Sequence, residues 1–91
     1  MIFLNHVKII SLVKSKKEYT FQVETDKGEI LRIRINPDGT LPAREDYDRL
    51  AIATQIAKLQ NRIVDLIVQP VQWVIGSMSG TSLILHEIKQ V

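Results

Sequence analysis

Two runs of alternating residues on either side of a short turn constrain this chain more than any other feature. Apolar and polar residues alternate over 19–24 and again over 31–35, which is the period of a strand with one buried face. Between them lies Asp26-Lys27-Gly28, a three-residue connection that is common in hairpins and places glycine in the left-handed conformation. With Thr25 opposite Glu29, apolar residues face apolar residues throughout, whereas a shift by one residue would pair apolar with polar. The sequence therefore predicts a β-hairpin with a positive φ at Gly28.

The size and composition of the chain restrict the remaining possibilities. It has 91 residues, a formal net charge of +2 and no cysteine. Because one domain usually needs about 100–150 residues, residues 1–91 are predicted to form a single domain. The lack of cysteine excludes a disulfide scaffold, a thiol nucleophile and a thiolate metal site. Domains of this size often complete a thin core by oligomerising.

The N-terminus and the most apolar stretch predict a cytoplasmic protein with no membrane partner. The lysines at the N-terminus follow the first apolar residues or lie among them, which is the reverse of a signal peptide. The stretch 63–78 contains Asp65 and Pro70 and is shorter than the roughly 20 residues that cross a bilayer.

The first segment, Ile2–Val13, is apolar on both faces. Val7 and Ile9 lie on one face, and Ile10 and Leu12 lie on the other. A strand of this kind is usually covered on both faces. We therefore expect it in the centre of the sheet, beside the strand that begins near Tyr19.

The middle of the chain predicts one long amphipathic helix. Pro42 suits a first helical turn, with acidic residues close behind it. From there to Val68 the apolar residues follow the helical period over roughly 25 residues, and Pro70 is expected to end the helix. The main stripe consists of Ile52, Ile56, Leu59, Ile63 and Leu66. We interpret it as the face that packs on the sheet; its spacing also fits a two-stranded parallel coiled coil.

The C-terminal part predicts further strands. Residues 71–75 alternate as in a strand but also fit a helix that resumes after Pro70, and their β-branched residues favour the strand. A loop is expected over 76–81 and a last strand over 82–88, which we place beside the first because both are apolar on both faces. The predicted fold class is α+β: an antiparallel sheet, built from a three-stranded N-terminal meander and at least one C-terminal strand, packed on the one long helix.

Motifs for catalysis or metal binding are absent from the sequence. Gly76-Ser77-Met78-Ser79-Gly80 has methionine where a nucleophile elbow needs serine. A calcium loop counted over 34–45 would begin at Arg34, where a carboxylate is required. His6 and His86 lie near opposite termini without the pattern of a triad. We predict no enzymatic activity, no catalytic residue, no cofactor and no metal.

The first functional hypothesis is a non-enzymatic protein-interaction or assembly module that self-associates or binds a protein partner. One helix covers one face of a sheet, which leaves apolar residues of the first and last strands and a tryptophan without cover. The candidate interface residues are Ile10, Leu12, Trp73, Leu83 and Leu85.

The alternative hypothesis is a small nucleic-acid-binding domain. Residues 1–35 carry seven basic and four acidic residues, and a β-ribbon with arginines can enter a DNA groove. The candidate contacts are Lys16, Lys17, Arg32 and Arg34. Glu24 and Glu29 are placed to neutralise the arginines, and that face has no aromatic residue for base stacking. Nucleic acid is therefore the less favoured partner.

Overall fold

The computed structural model describes residues 1–14, 19–35 and 47–90. The described residues form five strands and one helix: β1 (Ile2–Lys14), β2 (Tyr19–Glu24), β3 (Ile30–Ile35), α1 (Tyr47–Leu59), β4 (Ile63–Ile75) and β5 (Met78–Gln90). The predicted helix start at Pro42 lies outside the described residues.

The five strands close into one barrel in the order β1-β2-β3-β5-β4, with β4 returning to β1. Strand pairs are antiparallel except for β3 and β5, which run parallel. The predicted α+β fold, an antiparallel sheet packed on one long helix, is therefore wrong. The protein is mainly β, with a mixed sheet and one short helix.

The β2–β3 hairpin has the predicted register. Phe21 pairs with Ile33, and Thr20 pairs with Arg34. At the turn, the backbone N–H of Thr25 donates to the carbonyl oxygen of Glu29 at 2.9 Å, and a φ of 84° at Gly28 confirms the predicted left-handed conformation. The alternation succeeded here because the apolar residues 19, 21, 23, 33 and 35 all face the barrel core.

A bulge in β1 explains why that strand is apolar on both faces. Its register with β2 shifts between Ile9 and Ser11. The extra residue, Ile10, reverses the alternation, so Ile9 before it and Leu12 after it both pack against the core. The predicted cover on both faces is wrong, whereas the predicted position beside β2 is confirmed.

The helix α1 ends at Leu59, not near Val68 as predicted. Asn61 has a φ of 51°, and the backbone N–H of Arg62 donates to the carbonyl oxygen of Ala57 at 3.0 Å. A left-handed residue followed by this bond terminates a helix, and asparagine adopts that conformation more readily than most residues. The observed helix has 13 residues.

The helix also packs with a different face from the predicted one. Its buried side consists of Leu50, Ala51, Thr54 and Ala57. The Thr54 hydroxyl donates to the carbonyl oxygen of Leu50 at 2.8 Å, so the buried polar group is satisfied. Ile52, Ile56 and Leu59, the first three members of the predicted stripe, are exposed.

Residues 63–75 form β4, so the helical prediction for 63–68 is wrong and the strand prediction for 71–75 is confirmed. Val64, Leu66 and Val68 alternate into the barrel with none of their surface exposed. Beyond Val68, the last residue paired with β1, β4 has only β5 as a neighbour. Pro70 lies in this part, and a proline is tolerated in a strand that has one open edge.

The β4–β5 hairpin is longer than predicted. The expected loop over 76–81 is wrong, because only Gly76 and Ser77 form the turn and β5 begins at Met78. The last strand pairs with β4 and β3, so its expected place beside β1 is also wrong.

One hydrophobic core fills the barrel and extends under α1. Its buried members are Val7, Ile9, Tyr19, Phe21, Val23, Ile33, Ile35, Leu50, Ala51, Ala57, Val64, Leu66, Val68 and Leu85. Within the described ranges, α1 is neither long nor apolar enough to cross a membrane.

Candidate functional site

The described residues form an open cleft of about 390 Å³ between the β2–β3 hairpin and the outer part of β4–β5. Its described lining consists of Thr20, Arg32, Arg34, Trp73, Ile75 and Ser82. We call these six residues the arginine–tryptophan cleft. Its volume lies in the range of about 300–1,000 Å³ that is common for ligand sites.

The floor of the cleft is the outer face of β2 and β3. Side chains alternate across a strand, so burial of Phe21 and Ile33 in the barrel turns Thr20 and Arg32 outward. Arg32 is exposed and Arg34 is half buried. The two arginines therefore project on the same side of one strand.

The wall of the cleft forms because β5 separates from β3. The two strands pair only at Ile33 with Leu83 and at Arg34 with Ile84. Residues 71–82 then continue as a two-stranded arm that, among the described residues, is paired only with itself. This divergence leaves space between the arginines and the arm.

Trp73 is half buried and is seated on a glycine of the opposite strand. It pairs with Gly80, and a Cβ atom added at Gly80 would lie 2.5 Å from Cζ2 of the indole ring. Such a distance is below van der Waals contact, so the observed position of the ring requires glycine there. Trp73 lines the arginine–tryptophan cleft on one side and a smaller depression of about 300 Å³ on the other.

The charged side chains in the described lining of the cleft are basic. Its described lining contains two arginines and neither aspartate nor glutamate. Among the described residues, no carboxylate lies within ion-pair distance of Arg32; the expected neutralisation by Glu24 and Glu29 stays a prediction. Glu24 and Glu29 are themselves exposed.

The structure brings together two of the four predicted nucleic-acid contacts. Arg32 and Arg34 line the cleft. Lys16 and Lys17 lie outside the described residues; in the sequence they precede Tyr19 and Thr20 and connect β1 to β2.

The five predicted interface residues do not form one surface. Leu85 is fully buried in the core, and Leu12 and Leu83 are half buried against it. Ile10 is 39% exposed at the β1 bulge, and Trp73 lies in the cleft. The apolar surface that suggested a partner is thus largely used by the barrel itself.

The two histidines are not brought together. His6 lies in β1, whereas His86 lies in β5, and these strands are not paired. His6 has a φ of 57° at an irregularity of β1, where its backbone N–H donates to Asp65 Oδ1 at 2.9 Å. The described ranges contain no group of three or more His, Asp or Glu side chains able to hold a metal ion.

Sequence reasoning missed the aromatic member of the cleft. Trp73 is about forty positions from Arg32 in the sequence, and only the return of β4–β5 to β3 brings it to the arginine face. The expectation that this face has no aromatic residue is therefore wrong. Gly80, which leaves room for the Trp73 ring, is a sequence signal for the position of that ring. It can be recognised only when the β4–β5 register, which pairs Gly80 with Trp73, is known.

The order of the strands in the barrel and the position of the helix identify the architecture of the fold. A closed five-stranded barrel with a helix between its third and fourth strands and a ligand-sized cleft over β2–β3 corresponds to the OB-fold architecture. Comparison of the sequence with models of known protein families gives no match, and comparison with curated proteins gives no significant match. A shared architecture does not assign a function, so function has to be argued from the cleft.

Proposed function

We propose that the protein binds single-stranded nucleic acid in the arginine–tryptophan cleft. The observation that carries this proposal is that Arg32, Arg34 and Trp73, from distant parts of the chain, line the same cleft. Proteins that bind single strands combine cations for the phosphates with aromatic side chains on which bases stack.

The shape of the cleft favours a single strand over a duplex. A ribbon that reads the major groove has to project into it, whereas Arg32 and Arg34 share an open cleft with Trp73 and Ile75. An unpaired strand can enter such a recess with its bases exposed for stacking. The sequence hypothesis of a ribbon in a duplex groove is therefore replaced by a single-strand proposal.

The chain offers a site-specific measurement of binding, because Trp73 is its only tryptophan. We expect single strands of about 10–16 nucleotides to quench its fluorescence, and a duplex of the same sequence to bind more weakly. Affinity should fall with salt, since phosphate contacts release counterions.

Substitutions at Trp73 and Arg32 test whether these side chains stack on a base and contact a phosphate, respectively. Trp73→Ala should weaken binding by about 1–3 kcal/mol, the range for one stacked base. Arg32→Ala should reduce the salt slope by roughly 0.7 for each phosphate contact that it removes. For these variants, binding is followed by anisotropy of a labelled oligonucleotide.

Two controls match these variants. Val74→Ala changes the next residue of the arm, which is 74% exposed and not part of the cleft. Lys89→Ala removes an exposed cation near the other end of β5. If wild type gives no quenching and no anisotropy change at low salt, or if the controls weaken binding as much as the cleft variants, the proposal is wrong.

We propose self-assembly as a second function, as the first sequence hypothesis did. It is supported by a specific observation: three large apolar side chains of α1, Ile52, Ile56 and Leu59, are exposed. Contiguous apolar surface of this kind commonly marks an interaction site. Sedimentation at increasing protein concentration tests whether the protein associates at all.

A further inference from the structure

We propose that two copies of this chain associate through the exposed faces of their α1 helices, packed antiparallel. This inference rests on the assembly proposal above and names its surface, its partner and its orientation. We call the surface, which consists of Ile52, Ile56, Leu59 and Ile63, the α1 stripe.

The α1 stripe is apolar and accessible. Its side chains are 56%, 40%, 84% and 42% exposed, in the order of the sequence. Residues spaced by three and four positions lie on one side of a helix, and Ile63 follows at the start of β4. The opposite side of α1 is occupied by the barrel through Leu50 and Ala57, so rotation of the helix cannot bury the stripe without exposing core residues.

The charged residues near the two ends of the α1 stripe favour a second copy of the chain as the partner. Asp48 is exposed one turn before Ile52, on the same side of the helix. Arg62 is exposed just after the helix ends; its Nη1 donates to Gln90 Oε1 at 2.9 Å, which leaves the other guanidinium N–H groups for a second partner. One end of the stripe is therefore acidic and the other basic, and a surface with opposite charges at its two ends is complementary to itself when rotated by a two-fold axis.

The same charges select the orientation. In an antiparallel pair, Asp48 of one copy lies near Arg62 of the other, and the interaction occurs twice. In a parallel pair, the aspartates would meet each other and the arginines would meet each other. Antiparallel packing also opposes the two helix dipoles. The parallel coiled coil considered from the sequence is excluded as well because Ile63 and Leu66 are not helical.

The size of the stripe predicts a weak dimer. Stable interfaces bury about 800 Å² on each partner, and four partly exposed side chains supply less than that. We therefore expect association in the micromolar range or weaker, with a melting temperature that rises with protein concentration.

The test is sedimentation equilibrium of the full chain over a wide concentration range. Leu59→Glu should weaken the dimer at least tenfold, because it places a charge in the centre of the contact. The matched control is Ile75→Glu, which changes an apolar side chain 73% exposed on the arm and should leave the dimer unchanged. Circular dichroism at low concentration verifies that each variant is folded.

Charge reversal tests the orientation. Asp48→Arg and Arg62→Asp should each weaken the dimer, and the double variant should restore most of the wild-type affinity. Lack of restoration would overturn the antiparallel arrangement. A dimer that resists Leu59→Glu would overturn the α1 surface while leaving self-assembly in place, and a wild-type monomer at all concentrations would overturn both.

Discussion

The β2–β3 and β4–β5 hairpins belong to the same barrel, yet the sequence reveals only the first as a hairpin. In β2–β3, every position is either in the barrel or on its outer face, so apolar and polar residues alternate throughout β2 and over 31–35 of β3. In β4–β5, the inner half lines the core and the outer half leaves the barrel as an arm. Val74, Ile75 and Met78 on that arm are exposed although they are apolar.

The comparison indicates that a regular apolar–polar alternation marks a strand whose one face packs in the core. The outer half of β4–β5 lacks this alternation, and it is the part that lines the candidate site. The arm carries the Trp73 wall of the cleft, and the regular hairpin carries its Arg32 and Arg34 floor. A strand that faces a ligand space on one side and solvent on the other has no reason to alternate. The five predictions below test this difference, beginning with the largest expected effect.

Substitutions at two leucines separate the observed strand from the predicted long helix. Leu66 is fully buried in β4, so Leu66→Ala should lower the free energy of unfolding by about 2–5 kcal/mol. Leu59 is 84% exposed, so Leu59→Ala should change it by no more than about 0.5 kcal/mol. Urea unfolding at submicromolar concentration, where α1 contacts between copies are absent, measures both. Similar losses for the two would instead support one packed helical stripe.

The sequence allowed prediction of the β2–β3 register but not of the barrel that contains it. Closure depends on only two residue pairs between β3 and β5, Ile33 with Leu83 and Arg34 with Ile84, and such long-range contacts leave no local pattern. The same limit explains why two arginines of the cleft were predicted and its tryptophan was assigned to an interface.

The end of the helix was predicted wrongly for a different reason. Residues 63–68 contain apolar residues on consecutive positions, which fit a helical stripe and a buried strand equally well. The deciding feature is Asn61 with its φ of 51°. An asparagine in a polar stretch is also common on the outside of a helix, so the sequence alone gave it no particular weight.

The turn of the regular hairpin should be the more informative site for a backbone substitution. Gly28 has a φ of 84° and no atom within 4 Å of the place where a Cβ would lie. Gly28→Val should therefore cost about 1–2 kcal/mol through backbone strain alone, and Gly28→Asn should cost less because asparagine tolerates this region. Urea unfolding compares the two variants. Equal midpoints for wild type and Gly28→Val would contradict the turn described here.

Gly76 gives the corresponding test in the other hairpin. It has a φ of 61° and the same open surroundings. Gly76→Val should lower stability less than Gly28→Val, because the arm around Gly76 can distort without moving the barrel. A larger loss at Gly76 would indicate that the arm is part of the cooperative core, contrary to the comparison of the two hairpins.

Within the arm, Gly80→Ala should separate the site from the fold. The added methyl group would lie 2.5 Å from the Trp73 ring, so the ring must move, and open space on both of its sides lets it do so for about 1 kcal/mol or less. We expect a shifted tryptophan emission maximum and weaker oligonucleotide binding at nearly unchanged stability. Thr81→Ala, at the next and exposed position, serves as the control. Unchanged emission in Gly80→Ala would mean that the ring is not seated on Gly80.

The smallest expected effect concerns the inner half of β4–β5, where an ion pair ties β5 to α1. Arg49 Nη1 donates to Glu87 Oε1 at 3.0 Å, and Nη2 donates to Oε2 at 3.3 Å. The hydrogen bond from Arg49 lowers the pKa of Glu87 below its ordinary value of 4.5; burial opposes the shift, and the N–H of Ile88 adds to it.

A lowered folded-state pKa means that the unfolded chain takes up the proton first as the pH falls. The stabilisation by Glu87 is therefore fully present above about pH 4.5 and is lost as the pH drops through the lowered pKa. Because the Arg49 side chain is 53% exposed, solvent screening keeps the contribution below about 1 kcal/mol.

Glu87→Gln should be slightly less stable than wild type at neutral pH and equal to it in acid, as urea unfolding at both pH values would measure. The arm beyond Val68 has no such tie to α1, so Val74→Ala should shift stability equally at both pH values. A Glu87→Gln deficit that persists in acid would show that the side chain stabilises the hairpin through packing and not through its charge.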